Sequence, residues 1–280
     1  MSSIAMPSEE LAPSAVAKVK VQKTDATTTT SDSVVVEEPL EIRIKRGEKE
    51  EQLGITMRTP GNDLELAAGF LWGEGFLKNA SELMSVKVCG DNSLSPRQRA
   101  NVVIAHVAEG SQESARILER RFTITSACGV CGSTNISDLH KRGVSKVSAP
   151  SHSIQELAQM TSLLQGRQRI FEKTGGLHAA LLVNPKGEAI WVREDVGRHN
   201  AVDKVIGAAL MDGAIPLSDW TLVVSGRIGY ELVQKSICAG LSAIVGVSAA
   251  TSLAIDLAGE FGLTLLAFAR DGIAKHYLPA

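Results

Sequence analysis

A layered α/β fold is predicted for this chain, with a smaller β-rich part on its N-terminal side. Three observations predict it. From Leu177 to Phe268, apolar runs of strand length alternate with helix-length stretches, the pattern of a sheet with helices packed on it. Ser153-Ile-Gln-Glu156 is a capping box, in which the serine and glutamate side chains satisfy each other's main-chain donors and open a helix. Nearer the start, Leu40, Ile42 and Ile44, then Leu53, Ile55 and Met57, alternate with polar residues and read as two paired strands.

The elements follow in order. Residues 1–33 are rich in Ser, Thr, Ala, Pro and Lys without apolar period, which predicts a disordered leader. Residues 34–125 form the β-rich subdomain: beyond the strand pair, Asn62 or Asp63 can cap a helix carrying Leu66, Phe70 and Leu71, and Val102, Ile104 and His106 alternate on another strand. Residues 126–150 read as a mobile cysteine loop and linker, and 151–280 as an α/β cofactor-binding core. There the capped helix carries Leu157, Met160, Leu164 and Phe171 on one face, and Gly175-Gly176 closes it. Asn184-Pro-Lys-Gly187 turns a hairpin between Leu177–Val183 and Ala189–Val192. Helices near Asn200–Met211, Tyr230–Ala239 and Ser252–Glu260 then alternate with strands Thr221–Val224, Ala243–Val247 and Leu263–Phe268, which predicts parallel strands.

Composition narrows the classes of function. At 280 residues, with 44% hydrophobic and 21% charged residues, the chain holds itself together by packing. A formal net charge of -2 offers no bulk attraction to nucleic acid or an anionic membrane, so neither is expected as a partner. Met1 to Glu10 lacks a basic start followed by an apolar run, which predicts no secretory signal and a cytoplasmic protein. The longest apolar stretch, Gly240 to Ala269, contains Asp256 and Glu260 and reads as a buried strand-helix-strand unit rather than a membrane span.

Chemistry concentrates in one pair, Cys128 and Cys131, within Ser126-Ala-Cys-Gly-Val-Cys-Gly-Ser133. This spacing serves half a zinc site, a redox dithiol or a persulfide carrier, and spacing alone does not choose. Glycine-flanked thiols suit an approachable loop, and no second close pair completes a zinc site, so no metal is expected. Cys89 and Cys238 lie among apolar or small residues and read as buried packing. His106, His140, His152 and His276 lack partners at ligand spacing, whereas His178 and His199 sit beside glycines and charged residues. For the segment holding His199, Asp195 capping a helix and pairing with Arg198 is the plain structural reading. The turns Glu194–Asn200, Ser225–Gly229, Ser248–Ser252 and Phe268–Ile273 follow strands, and the carboxyl ends of such strands are where open α/β sheets bind ligands. Neither a phosphate-loop lysine motif nor a Gly-x-Gly-x-x-Gly fingerprint occurs in them.

Four segments in order carry a resemblance: Ser126–Gly132, Glu194–Lys204, Tyr230–Lys235 and Val247–Thr251. From about Pro39 to its C-terminus the chain closely resembles the formate dehydrogenase accessory sulfurtransferase family, FdhD. The resemblance implies a cytidine deaminase-like layered fold and a homodimer. It also implies passage of sulfur from a cysteine desulfurase to the molybdenum bis(molybdopterin guanine dinucleotide) cofactor, bound as a client before it enters formate dehydrogenase. By the same resemblance Cys128 carries the persulfide and Cys131 assists transfer or protects the thiol. The turn Phe268, Ala269, Arg270, Asp271, Gly272 and Ile273 matches the cofactor-binding segment, with Arg198, Arg227, Ser248 and Thr251 as further contacts. The deaminase reaction itself is not expected, because His178 is followed by Ala179 and Ala180 rather than a His-x-Glu pair, and no proline precedes Cys128. The competing reading is a cofactor chaperone whose cysteines contact the desulfurase without carrying sulfur.

Overall fold

The computed structural model describes residues 14–25, 27–109 and 136–278. Cys128 and Cys131 therefore lie outside the described residues, as do Met1 to Pro13 of the expected leader. Among the described residues of that leader, two strands stand where disorder was expected. β1 (Val16–Gln22) and β2 (Thr29–Val35) pair antiparallel, with Val16 opposite Val35 and Lys20 opposite Ser31. Valine and threonine favour the extended backbone, and this tendency overrides the polar composition. The far end of the hairpin is exposed, while Val35 packs on Gly176 of the core, 3.4 Å from where a β-carbon there would sit.

The β-rich part is a four-stranded sheet in the order β4-β3-β6-β5, built from β3 (Glu38–Arg46), β4 (Lys49–Arg58), β5 (Leu83–Val88) and β6 (Val102–Val107). The predicted β3–β4 pair is antiparallel, and β6 runs parallel to β3. Leu40, Ile42 and Ile44 all point inward, where α1 (Asp63–Glu74) covers them with Leu66 and Leu71. Asn62 does not cap this helix through its side chain; its backbone is left-handed, at φ 58°. Asp63 instead receives two hydrogen bonds of 2.9 Å from the fully buried Arg58, whose guanidinium also reaches Asn101 at the end of α2 (Pro96–Ala100). Within the expected mobile linker, α3 (Ile136–Lys141) is packed: Leu139 is buried in the main core and the His140 ring stacks on Phe261.

In the core, β7 (His178–Val183), β8 (Ala189–Asp195), β9 (Thr221–Val224), β10 (Ala243–Gly246), β11 (Thr264–Arg270) and β12 (Ile273–Tyr277) form one sheet, ordered β12-β11-β10-β9-β7-β8. The predicted parallel set is β9, β10 and β11, and β7 runs antiparallel to both its neighbours. Fully apolar strands follow from burial on both faces. One face carries α6 (Arg198–Met211), α7 (Tyr230–Cys238) and α8 (Ser252–Phe261). The other packs on α4 (Ile154–Gln159) through Leu157 and Ala158. The stretch Gly240–Ala269 is thus β10, α8 and most of β11, and no helix among the described residues is long and apolar enough to cross a membrane.

The single helix expected from Ile154 to Phe171 is broken. Its capping box is present, but after Gln159 the chain tightens into a 3-10 turn over Met160–Leu164, where Ser162 Oγ donates back to the carbonyl of Gln159 at 2.7 Å. Gly166 then turns the chain at φ 69°, and the short α5 (Phe171–Thr174) follows separately. Hydroxyl groups that bond the preceding turn compete with regular helix geometry.

The two parts of the molecule meet where α1 crosses α6. A β-carbon on Gly69 would overlap the main chain of Asp203, and one on Gly207 would overlap that of Glu65. In an exposed helix, Gly→Ala stabilises by about 1 kcal/mol. Here Gly207→Ala is expected to do the reverse, lowering the unfolding free energy by about 1–3 kcal/mol as the helices are forced apart. Urea denaturation of the variant measures the sign.

Candidate functional site at the strand ends

The carboxyl ends of β8, β9, β10 and β11 and the start of β7 share one edge of the core sheet. A cavity of about 770 Å³ opens there, on the face covered by α4 and the 3-10 turn. Ala269, Arg270, Asp271 and Gly272 form one wall, His178, Ser225 and Val247 the strand-end wall, and Gln159, Gln165 and Gln168 the facing side.

The turn 268–273 owes its shape to three left-handed residues. Phe268, at φ 55°, bulges from β11, and its N–H donates to the carbonyl of Ser248 at 3.0 Å. Asp271 and Gly272, at φ 51° and 76°, make the tight turn into β12, a conformation that aspartate and glycine tolerate best. Gln155 Nε2 donates to the Gly272 carbonyl and holds the turn against α4. The predicted segment therefore divides: Ala269 to Gly272 line the cavity, whereas Phe268 and Ile273 are exposed, the former under the ammonium of Lys275 at 4.6 Å. Ser248 contributes its main-chain carbonyl to this arrangement, and Thr251 stands at the N-cap of α8 without a side-chain cap bond.

Arg198 and Arg227 lie beside the cavity wall rather than on it. Gly226, in the loop after β9, allows this crowding: a β-carbon there would be 3.1 Å from His178 Nδ1 and 3.7 Å from Arg198 Cβ. Burial lowers the pKa of His178, and the positive charges of Arg198 and Arg227 lower it further against the opposing Asp195. Burial, with Arg227 and against Glu231, also lowers that of Arg198. Sequence reading set His178 apart without assigning it a role, marked Ser225 only as the start of a strand-end turn, and missed the three glutamines. The signal for the glutamines was Gln165-Gly-Arg-Gln168, where a glycine interrupts the presumed helix.

Asp195 does not pair with Arg198. Fully buried, it accepts the N–H of Gly197 at 2.8 Å and that of Thr59 at 3.2 Å, and it pairs with Lys204 Nζ at 2.7 Å. Lys204 also donates to the carbonyl of Thr59, and Asn200 to that of Met57, so the loop that begins α6 is pinned to the β-rich part. One residue earlier, Glu194 accepts the N–H groups of Ile170 and Phe171, which fixes α5 and its side of the cavity.

Deeper between α1, α6 and α7 lies a charged cluster. Lys235 Nζ is 2.8 Å from Asp203 and 3.5 Å from Glu74; Asp203 and Glu74 raise its pKa despite burial. Burial pushes Asp203 up to about 6 and Glu231 above the usual carboxylate range. His199, 3.2 Å from Glu231, is held neutral, its pKa driven down to about 3 by burial and by Arg198, Lys235 and His178. Among the remaining thiols Cys89 is buried, and burial raises the pKa of Cys238, so neither is primed as a nucleophile.

With this geometry in place, a model of the FdhD/NarQ family matches residues 35–279. The chain belongs to that family. Similar to it are the Sulfur carrier protein FdhD of Streptomyces avermitilis, 45% identical over 90% of this chain and 89% of that protein, and the one of Saccharolobus solfataricus, 42% identical over 86% of each. A crystal structure from Desulfotalea psychrophila, of a protein assigned as a formate dehydrogenase accessory protein, superposes with a TM-score of 0.67 at 22% identity, covering 94% of this chain and 96% of that one. This likeness shows a common α/β fold. The FdhD/NarQ match begins at Val35, the residue with which β2 ends, so the N-terminal hairpin falls almost wholly outside it.

Two outcomes are expected. Lys204→Met strands a buried carboxylate and should cost about 3–5 kcal/mol of stability in urea denaturation. His199 has a folded-state pKa of about 3, below its ordinary 6.5, so it contributes stability that is complete above pH 6.5 and is lost as pH falls toward 3. The associated slope is at most about 1.4 kcal/mol per pH unit. Urea midpoints measured from about pH 7 to about pH 5 should fall less steeply for His199→Gln than for the native chain.

Proposed function

We propose that this protein is a sulfur carrier required for formate dehydrogenase activity. It takes sulfur from a cysteine desulfurase as a persulfide on Cys128 and passes it to the molybdenum bis(molybdopterin guanine dinucleotide) cofactor before formate dehydrogenase receives that cofactor. In the first step the Cys128 thiolate attacks the outer sulfur of the donor persulfide. The new sulfur-sulfur bond replaces the old one, and the donor cysteine leaves as thiolate, so no external oxidant or reductant is needed. Cys131 is the partner thiol, assisting release or protecting Cys128.

The observation that carries the reading is the Cys128-Gly-Val-Cys131 pair in a chain 45% identical to a protein named as a sulfur carrier. The strand-end cavity supports the client half. At about 770 Å³ it falls within the usual range for organic ligands, and a largely apolar lining with a few amide, hydroxyl and imidazole groups is the usual make-up of a site for such a ligand. In this reading Ala269 to Gly272 hold a guanine nucleotide arm of the client, with Phe268 and Ile273 at the outer rim and Arg198, Arg227, Ser248 and Thr251 around it. The sheet order, with β7 antiparallel between β8 and β9, supports a cytidine deaminase-like assignment for the core. A cytoplasmic homodimer completes the proposal.

Incubation with a cysteine desulfurase and cysteine should add sulfur to Cys128, read by mass spectrometry of its peptide. Cys128→Ala should abolish formate dehydrogenase activation while leaving cofactor binding intact. Full activation by that variant overturns the carrier role and leaves a cofactor chaperone.

A further inference from the structure

Asp203 lies at the contact that joins the two parts of the molecule. Its main chain stands where a β-carbon on Gly69 of α1 would fall, and its carboxyl is buried. Lys235 Nζ is 2.8 Å from Asp203 Oδ1 but donates its hydrogen bond to Oδ2, at 3.1 Å. Among the described residues Oδ1 therefore receives no hydrogen bond. An ionised carboxylate only accepts, so a buried oxygen without a donor is costly to keep charged. Nor does the ammonium belong to Asp203 alone. It also reaches Glu74 of α1 at 3.5 Å, lies 5.9 Å from the centre of the Phe70 ring, and packs 3.0 Å from where a β-carbon on Gly73 would sit.

Each helix at the joint brings charge to this seam. α1 contributes Glu74, and α7 contributes Glu231 together with Lys235. α6 contributes the neutral His199, 3.2 Å from Glu231, and Arg198, which acts on Glu231. Arg142 stands at the outer end, on the carbonyl of Gly73. Three carboxylates thus meet one fully enclosed cation. Burial raises the proton affinity of Asp203 against the pull of Lys235, and Glu74 and Glu231 raise it further. One of those two carboxylates, Glu74, is present only because α1 is seated. Parting α1 from α6 and α7 would remove Glu74 and admit water, and the Asp203 carboxyl would return to its ordinary range.

We propose that the joint between the β-rich part and the core is a proton-linked clasp, in which Asp203 takes up a proton as α1 seats against α6 and α7 and releases it when they part. Acid tightens this clasp. A carboxyl with a folded-state pKa of about 6, above its ordinary 3.8, contributes stability that is complete below 3.8 and is lost as pH rises through 6. His199 acts in the opposite sense, because its contribution is lost as pH falls below 6.5. The two residues share α6 and offset each other, which holds the joint more nearly even across mildly acid pH than either would alone. The clasp involves none of the cavity's lining and does not depend on how Cys128 is used.

Carbon-13 NMR of the side-chain carboxyls of the full chain tests this directly. The Asp203 resonance should titrate near pH 6, and Glu74→Gln should move that midpoint downward. In urea denaturation Asp203→Asn, which mimics the uncharged carboxyl, should gain on the native chain as pH rises. The gain expected is about tenfold in the folding equilibrium constant between about pH 5 and about pH 7. An Asp203 midpoint in the ordinary carboxylate range overturns the clasp. A midpoint near pH 6 that Glu74→Gln leaves in place overturns the link to the seating of α1. A difference between Asp203→Asn and native protein that is flat over that range, or of the opposite sign, also overturns it. If Asp203→Asn does not fold, the titrations of the native chain and of Glu74→Gln decide the question.

Discussion

Two helices that touch main chain to main chain determine how this molecule is assembled. Gly69 on α1 and Gly207 on α6 leave no side chain between them. Interiors are packed densely enough that one added methyl group there has nowhere to go. Because the helices approach so closely, the end of β4 comes within reach of the loop before α6. Lys204 and Asn200 can then hydrogen-bond to main-chain carbonyls of Thr59 and Met57, and Asp195 can receive the Thr59 N–H. Without the glycine contact these polar groups would lose their partners across the joint, and the β-rich part would be held to the core less closely.

The distribution of charge follows from the same seat. Acids and bases caught between α1, α6 and α7 are far from water, and they are tolerated because they compensate one another: Lys235 between Asp203 and Glu74, His199 kept uncharged beside Glu231. Negative charge is thereby drawn inward and consumed. The arginines that begin α6 and precede α7 are left near the sheet edge, where both lower the pKa of His178.

Much of the core was legible in the sequence, because a sheet covered on both faces requires unbroken apolar strands and its helices require caps. Leu177–Val183, Thr221–Val224 and the helix near Asn200–Met211 show that pattern directly. The N-terminal hairpin was not, since Ser and Thr in Thr29–Val35 signal disorder by composition and strand by backbone preference, and only pairing decides between them. The break after Gln159 was hidden for a related reason: Leu157, Met160 and Leu164 keep a helical spacing of buried residues even though the backbone has tightened. Of the cavity's lining, Ala269 to Gly272 and the strand-end turn opening at Ser225 were marked in the sequence, whereas Arg198 and Arg227, also marked, lie beside its wall. The glutamine side was not, because uncharged amides scattered over Gln159 to Gln168 become a surface only when the chain bends around Gly166.

The segment from Glu194 to Lys204 does unusually varied work for its length. Glu194 secures α5, Asp195, Asn200 and Lys204 fasten the two parts together, Arg198 stands near the sheet edge, and His199 belongs to the buried charged cluster. The joint and part of the charged cluster are thus built from the same short stretch of chain. A weakened joint between the two parts would therefore disturb the buried pairing of His199 with Glu231 before the protein as a whole came undone.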